Sequence, residues 1–261
     1  MTTISVITPF YNAQEFILDC ALSVQKSITF NQFELEHIFV DDGSTDHSVE
    51  RMTPQLSEST LLISLEKNAG PSNARNEGLK RATGRYIFFL DADDIIFENS
   101  LRYLFEKAQT EQVAWIYGDF LRGNEQLQYM VGQDYYGWNF STAADTLYSM
   151  YTGKHFFQQN NFFSQSILNE VHGFTGEITM AEDFDLCTRL LLNGHMPNYM
   201  AGPLYLHRVH AKNVSTPHLT QPDLHRQQIA QLYKRYKKSL NKILSIEQTV
   251  EVERYLMDIK V

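Results

Sequence analysis

The chain has 261 residues, 43% of them hydrophobic, which is enough for a packed core in one large domain or two fused lobes. Its formal net charge of −9 argues against a general nucleic-acid binder, because such proteins display a basic domain or stripe. No apolar run approaches the roughly 20 residues of a membrane span and no secretory leader is recognisable, so we expect a cytoplasmic protein.

Short apolar runs alternate with amphipathic stretches in the first half of the chain, which predicts parallel strands joined by helical crossovers. Residues rich in β-branched, aromatic and leucine side chains mark the predicted strands at 4–8, 37–40, 61–65, 86–90 and 115–117. The predicted helices fill the intervals at 14–27, 46–56 and 71–82, with Asp46 as an N-cap and Pro71 in a first turn. The fold class is therefore α/β.

Between about residues 123 and 161 the periodicity weakens, and aromatic side chains lie among polar ones: Tyr129, Tyr135, Tyr136, Trp138 and Phe140. These rings either form an acceptor-binding surface or pack in the core, and core packing is the commoner fate of aromatic residues.

Beyond Pro222, apolar residues recur at spacings of three and four and predict one long amphipathic helix. Its other positions carry a cationic block that includes Lys234, Arg235, Lys237 and Lys238. The apolar stripe, which contains Tyr233, Tyr236 and Ile243, either packs on the body of the protein or lies on an anionic membrane surface. Packing is the commoner outcome for such a helix.

Carboxylates follow two of the predicted strands. Asp41 and Asp42 follow the second strand, and Asp91, Asp93 and Asp94 follow the fourth. Ligands of open α/β sheets bind outside the carboxyl ends of the strands, so both groups should face one cleft. In an extended segment Asp91 and Asp93 share a face and can converge on one divalent cation. Such oxygen ligands favour Mg²⁺ or Mn²⁺, with phosphate oxygens and water in the remaining positions.

Five segments in order resemble the motifs of the family 2 glycosyltransferases of the GT-A fold, and together they cover roughly residues 4–215. They are SVITPFYN at 5–12, FVDDGSTD at 39–46, NAGPSNARN at 68–76, FLDADD at 89–94, and GF at 173–174 with EDFDLCTR at 182–189. The resemblance implies a mixed, mainly parallel central sheet flanked by helices, with a C-terminal helical extension. It implies a nucleotide-sugar-binding half at 1–120, an acceptor-binding and catalytic half at 121–217, and an amphipathic extension at 218–261.

The resemblance also implies a set of nucleotide-binding residues: Thr8, Pro9, Tyr11, Asp42, Arg75 and Ala92. The Tyr11 ring can stack on a base, and the Asp42 carboxylate can accept the imide N–H of uracil, so we expect UDP as the nucleotide. Arg75 can pair with phosphate or orient a carboxylate of the cleft.

For the chemistry, the resemblance makes Asp183 the general base that deprotonates the acceptor hydroxyl. Glu182 then orients the base or touches the acceptor, and Arg208 contacts the acceptor or the diphosphate. Asp91, Asp93 and His210 are the expected ligands of Mn²⁺ or Mg²⁺.

We therefore expect an inverting enzyme that transfers a hexose or N-acetylhexosamine from a UDP-sugar to a saccharide or lipid-linked saccharide, in bacterial polysaccharide or glycoconjugate synthesis. A homo-oligomer, and a peripheral contact of the C-terminal helix with the inner face of the plasma membrane, stay open. The alternatives are a nucleotidyltransferase and a non-catalytic glycosyltransferase-like subunit, although intact Asp91, Asp93 and Asp183 argue against the latter. A dinucleotide-dependent oxidoreductase is disfavoured because no G-x-G-x-x-G follows the first strand.

Overall fold

A mixed, mainly parallel sheet forms the centre of the protein in a computed structural model that describes residues 3–27, 33–158, 160–178, 180–213 and 222–257. Its strands are β1 (Thr3–Phe10), β2 (Glu34–Asp41), β3 (Thr60–Ser64), β4 (Tyr86–Phe89), β5 (Ile95–Ile96), β6 (Trp115–Gly123), β7 (Phe162–Ser164) and β8 (Asn198–Arg208). Their order across the sheet is β3-β2-β1-β4-β7-β6-β8-β5.

The strand directions put the functional segments at one edge of the sheet. β1, β2, β3 and β4 run parallel to one another, and β6 runs parallel to β8. β7 is antiparallel to both β4 and β6, so those two strands point the same way. The carboxyl ends of the long strands therefore meet at a common edge, where ligands of open α/β sheets bind.

Helices cover the sheet and extend beyond it at the C-terminal side. They are α1 (Ile17–Lys26), α2 (Ser48–Met52), α3 (Pro71–Arg81), α4 (Ser100–Glu111), α5 (Ala143–Tyr151), α6 (Gln165–Glu170), α7 (Glu182–Leu192), α8 (Pro222–Leu240) and α9 (Ile246–Met257). Close approach of α3 to β1 requires Gly78, because a Cβ there would lie 2.4 Å from Cγ2 of Ile7. The predicted strands and the α/β class are confirmed.

Two predicted helices differ from the structure in detail. The helix predicted at 46–56 is the short α2 followed by a 3₁₀ turn at Thr53–Gln55, where Pro54 has no N–H to continue an α-helix. Its predicted cap, Asp46, does accept the N–H of Ser48, although His47 is the residue at the cap position.

The single helix predicted beyond Pro222 is instead the pair α8 and α9. The second begins at a reciprocal cap: the Gln248 N–H donates to Oγ of Ser245, and the Ser245 N–H donates to Oε1 of Gln248. This capping box, S-x-x-Q in the sequence, is a recognised helix start.

The apolar stripe of α8 packs on the body of the protein. Ile229, Leu232, Tyr233 and Leu240 are buried in the main hydrophobic cluster with residues of α5 and α7. The Tyr236 hydroxyl donates to the buried Asp185 of α7 at 2.6 Å. The stripe is therefore not available to a membrane. Among the described residues, no helix has the length and apolarity that crossing a bilayer would require.

Candidate functional site

Arg75 joins two parts of the site. Its side chain projects from α3 and is only 3% exposed. Nη1 lies 2.8 Å from a carboxylate oxygen of Glu182, at the start of α7, and Nη2 lies 2.9 Å from Oδ1 of Asp91, just after β4. The guanidinium also lies 5.3 Å from the ring centre of Phe174. Arg75 thus orients carboxylates of the cleft, one of the two roles expected for it.

Burial and neighbouring charge raise the pKa of two carboxyl groups near Arg75. Burial raises the pKa of Asp91 to about 7, against the attraction of Arg75 and with the added repulsion of Asp93. Burial and the charge of Glu182 likewise raise the pKa of Asp183 to about 7. A carboxylate with a pKa near neutrality is suited to take a proton from a hydroxyl group.

A second side-chain pair forms at Asp93, two residues after Asp91 in the loop that follows β4. Oδ2 of Asp93 lies 3.0 Å from Nε2 of His210 and accepts a hydrogen bond from the side chain of Asn213 at 3.0 Å. The His210 ring lies 4.2 Å from the ring of Phe16. Burial raises the pKa of Asp93, but the hydrogen bond from His210 and the charges of His207 and His210 outweigh it, so the net pKa is lowered.

The three expected metal ligands are not assembled into one cluster. Across the described residues no group of three or more His, Cys, Asp or Glu side chains is arranged to hold a metal ion. Asp91 pairs with Arg75 while Asp93 pairs with His210, and the convergence of Asp91 and Asp93 on one cation stays a prediction. Of the three expected ligands, Asp93 and His210 are close together and offer one oxygen and one nitrogen donor.

Arg208 supports the loop after β4 and forms its hydrogen bonds with protein groups. It is 2% exposed, and its Nε donates to the backbone oxygen of Asp93 at 2.8 Å. Its terminal nitrogens donate to Asp19 and to the backbone oxygen of Glu125. The buried guanidinium thus donates to protein groups, and its expected contact with acceptor or diphosphate stays a prediction.

Asp94 anchors the loop after β4 through its buried carboxylate, a role that sequence reasoning missed. Its fully buried carboxylate accepts hydrogen bonds from the Asn160 side chain at 2.8 Å and from the Arg208 N–H at 3.0 Å, and it lies 3.1 Å from Nδ1 of His207. No local pattern distinguishes Asp94 from the neighbouring aspartates, because its partners come from β8 and from the segment before β7.

The expected nucleotide contacts divide into buried and accessible residues. The Thr8 hydroxyl is buried and lies 2.9 Å from Nε2 of His37, and a contact of Thr8 with the nucleotide stays a prediction. Pro9 and Ala92 are buried as well. Tyr11, immediately after β1, is 47% exposed. Its ring is thus accessible at the carboxyl edge of the sheet.

Asp42 is buried beside the loop that precedes α3. Its two carboxylate oxygens accept the N–H groups of Ala69 and Gly70, each at 2.8 Å. Burial raises the pKa of Asp42, against the effect of these two hydrogen bonds. The bonds hold the carboxylate in a fixed orientation, and each oxygen retains a second lone pair.

The aromatic segment between β6 and α5 is only partly core. Tyr129, Tyr136 and Trp138 are exposed, so the core interpretation is wrong for these three residues. Tyr135, in contrast, stacks on Phe120 with ring centres 5.1 Å apart.

Asp119 holds this segment against β8. The buried Asp119 carboxylate accepts bonds from the N–H groups of Gly137 and Gly202 and from the Tyr199 hydroxyl, each at about 2.8 Å. No sequence pattern marked Asp119, because its partners are 18 to 83 residues away.

Comparison with known proteins places these features in a family. The model of "Glycosyl transferase family 2" matches residues 5–172, which leaves Asp183 and His210 outside the matched range. The chain is 27% identical over 231 residues to glycosyltransferase GlyG of Streptococcus pneumoniae, covering 78% of the chain and 70% of GlyG. It is 42% identical over 93 residues to TuaG of Bacillus subtilis, a putative teichuronic acid biosynthesis glycosyltransferase, covering 35% of the chain and 36% of TuaG.

The fold also matches a solved structure. S. aureus TarS residues 1–349 in complex with UDP-GlcNAc superposes with a TM-score of 0.71 at 20% identity, over 99% of the chain and 71% of that structure. Several other curated relatives are longer, and the chain spans 18 to 21% of their length.

Replacing Arg75 with Met should lower the free energy of unfolding by about 3–5 kcal/mol, because two partly buried carboxylates lose their buried cation. The matched control is Arg102→Met, which breaks the more exposed pair with Glu106 at 3.4 Å and should cost less than about 1 kcal/mol. Urea unfolding measures both changes.

The Arg75→Met deficit should also shrink as the pH falls. Without the cation, the attraction that lowers the pKa of Asp91 is lost, so its folded-state pKa rises further and protonation favours the folded protein. A loss equal to that of the Arg102→Met control, or a loss independent of pH, would show that the two ion pairs do not hold the site together.

Proposed function

The chain belongs to glycosyl transferase family 2 and is an enzyme that transfers sugars, and from this premise we propose that it transfers a hexose or N-acetylhexosamine from a UDP-sugar to an acceptor hydroxyl. The reaction is a single displacement with inversion at the anomeric carbon. The observation that carries the proposal is the position of Asp183, a half-buried carboxyl at the start of α7 whose pKa is raised to about 7. Its neighbour Glu182 is joined through Arg75 to Asp91 in the loop after β4.

The donor half, residues 1–120, binds the nucleotide between the ends of β1 and β2. Tyr11 offers an exposed ring at the end of β1, on which a base can stack. Asp42 accepts the uracil imide N–H through a lone pair that its backbone bonds leave over. The solved TarS structure named above contains UDP-GlcNAc, which supports a UDP-sugar as the donor class.

Asp93 and His210 fit a divalent cation, Mn²⁺ or Mg²⁺. A carboxylate oxygen and an imidazole nitrogen lie 3.0 Å apart, and such ions bind through one or two protein groups plus phosphate oxygens and water. The Lys212 N–H lies 3.2 Å from Nδ1 of His210, which leaves Nε2, beside Asp93, as the nitrogen that would face the cation. When bound, the cation supplies charge stabilisation for the departing diphosphate.

Asp183 deprotonates the acceptor hydroxyl as the hydroxyl attacks the anomeric carbon. Its carboxylate accepts the Phe184 N–H at 2.7 Å, which fixes the group at the N-terminus of α7. Glu182 orients this helix start, because Arg75 holds its carboxylate at 2.8 Å. No covalent sugar–enzyme intermediate is needed.

The half at residues 121–217 binds the acceptor, a saccharide or lipid-linked saccharide. Tyr129, Tyr136 and Trp138 expose rings on which pyranose faces can pack. Asp119 anchors their segment beside β6. The similarity to TuaG over 93 residues supports a place in the synthesis of cell-surface polysaccharide.

UDP should bind the unmodified protein measurably only with Mn²⁺ or Mg²⁺ present, because the diphosphate completes the coordination of the cation. Asp93→Ala should remove this metal dependence together with transfer activity, whereas the exposed control Asp145→Ala should keep both. Titration calorimetry in chelator and in Mn²⁺ decides the matter. Equal affinity of the unmodified protein under the two conditions would exclude Asp93 and His210 as a metal site.

Asp183→Asn should keep the UDP affinity within a few-fold and reduce transfer by roughly 10²-fold or more, the range for loss of a general base. In the unmodified enzyme the transfer rate should rise with pH through about 7, since the carboxylate must be deprotonated to act. The exposed control Glu177→Gln should preserve both the rate and its pH profile. Near-normal turnover of Asp183→Asn would refute the assignment of the base.

Trp138→Ala should raise the acceptor KM several-fold and leave the KM of the UDP-sugar unchanged, because the exposed ring lies in the acceptor half. Tyr103, an equally exposed ring on α4, provides the control Tyr103→Ala. Steady-state kinetics with each substrate varied in turn measures the split. An unchanged acceptor KM in Trp138→Ala would remove this ring from the acceptor surface.

A further inference from the structure

A row of lysines lies on the outer side of α8 and the turn that follows it. Lys234, Lys238 and Lys242 are exposed and recur every fourth residue. Within the described ranges none of the three has a carboxylate within ion-pair distance, whereas the neighbouring Lys237 pairs with Glu253 at 2.7 Å. The row is conspicuous in a chain whose formal net charge is −9.

The opposite side of α8 is buried, so the lysine row is held in place. Leu232, Tyr233 and Leu240 belong to the main core cluster, and the Tyr236 hydroxyl donates to buried Asp185. The lysines therefore project from a fixed helix, and their helix has no apolar stripe left with which to enter a bilayer.

Helix α9 supplies exposed apolar side chains next to this row. Ile246, Val250 and Met257 are 85%, 59% and 73% exposed, and their spacing of four and seven residues puts them on one face. Glu253 lies three residues after Val250 and four before Met257, so it shares that side of α9. Because Glu253 contacts Lys237 and the Tyr233 hydroxyl, this side of α9 lies along α8.

We propose that the outer face of the α8–α9 pair docks on an anionic phospholipid bilayer. The surface consists of Lys234, Lys238 and Lys242 on one helix and of Ile246, Val250 and Met257 on the other. Cations beside a few exposed apolar side chains are the combination that binds an anionic lipid surface, through charge attraction and shallow insertion. The inference does not depend on the proposed donor or mechanism.

Other occupants fit this surface less well. A second copy of the chain, docked about a two-fold axis, would bring the lysine row close to its own equivalent. Nucleic acid would leave the three apolar side chains without a partner. The surface also differs from the stripe of Tyr233, Tyr236 and Ile243 considered in the sequence analysis, because Tyr233 is buried and Tyr236 is directed at Asp185.

The test is co-sedimentation of the full chain with vesicles of phosphatidylcholine alone and of phosphatidylcholine with phosphatidylglycerol. Binding should require phosphatidylglycerol and weaken as salt is added, because exposed charges are screened. The variant Lys234→Gln/Lys238→Gln/Lys242→Gln should reduce the partition coefficient at least tenfold. The variant Ile246→Ser/Val250→Ser should also reduce the partition coefficient. Because this variant keeps the three lysines, the binding that remains should still depend on phosphatidylglycerol.

The matched control is Lys67→Gln/Lys80→Gln/Lys154→Gln, which removes the same charge from exposed lysines elsewhere. It should bind vesicles within about twofold of the unmodified chain, and thermal unfolding should confirm that both triple variants fold. Absence of binding to phosphatidylglycerol vesicles at low salt would overturn the proposal. An equal loss of vesicle binding in the two triple variants would also overturn it. Binding to heparin without binding to vesicles would do the same.

Discussion

The arrangement of the site depends on one buried cation. Arg75 lies between Asp91 and Glu182, residues that enter the cleft from different parts of the chain. Removing a guanidinium from water is costly, and here two hydrogen-bonded carboxylates compensate for that cost. The same contacts fix the position of the loop after β4 relative to the start of α7 through one side chain.

A second constraint comes from β8, the long strand that reaches the carboxyl edge of the sheet. Its last residue, Arg208, donates to the backbone of Asp93, and its N–H donates to Asp94. The chain then turns so that His210 faces Asp93. Arg75 and β8 thus draw the two ends of the Asp91–Asp94 loop in different directions. This explains why Asp91 and Asp93, only two residues apart, have different partners.

The sequence predicted the elements of the parallel half and the residues that gather at its edge, because hydrophobic alternation and strand-end carboxylates are local signals. The family resemblance named Asp93 and His210, with Asp91, as ligands of one cation, and in the structure the side chains of Asp93 and His210 lie 3.0 Å apart. The sequence offered a carboxylate of the cleft as one partner of Arg75 but did not single out Asp91, since spacing alone put Asp91 and Asp93 on one face. The roles of Asp94, Asp119 and Asp185 also escaped it. Each is a buried carboxylate whose partners are set by the tertiary fold.

The aromatic residues wrongly assigned to the core also show that the sequence does not reveal tertiary partners. Tyr129, Tyr136 and Trp138 match core residues in type, yet they lie on the surface because Asp119 and the edge of β6 hold their segment outside the main cluster. Conversely, Thr8 and Arg208 match binding residues in type and motif, but their polar atoms are satisfied inside the protein. Residue type and spacing identify which side chains come to the cleft edge, while hydrogen-bond partners decide which of them remain available to a ligand.

The most direct test of the account is the melting temperature of the purified chain with a panel of UDP-, GDP- and ADP-sugars, each with Mn²⁺ and with chelator. A ligand that binds the folded state alone raises the melting temperature, by an amount that grows with the ratio of its concentration to its dissociation constant. The account predicts stabilisation by a UDP-sugar with Mn²⁺ and a much smaller effect in chelator. Stabilisation by a GDP- or ADP-sugar instead, or an equal shift by UDP-sugar in chelator, would contradict it.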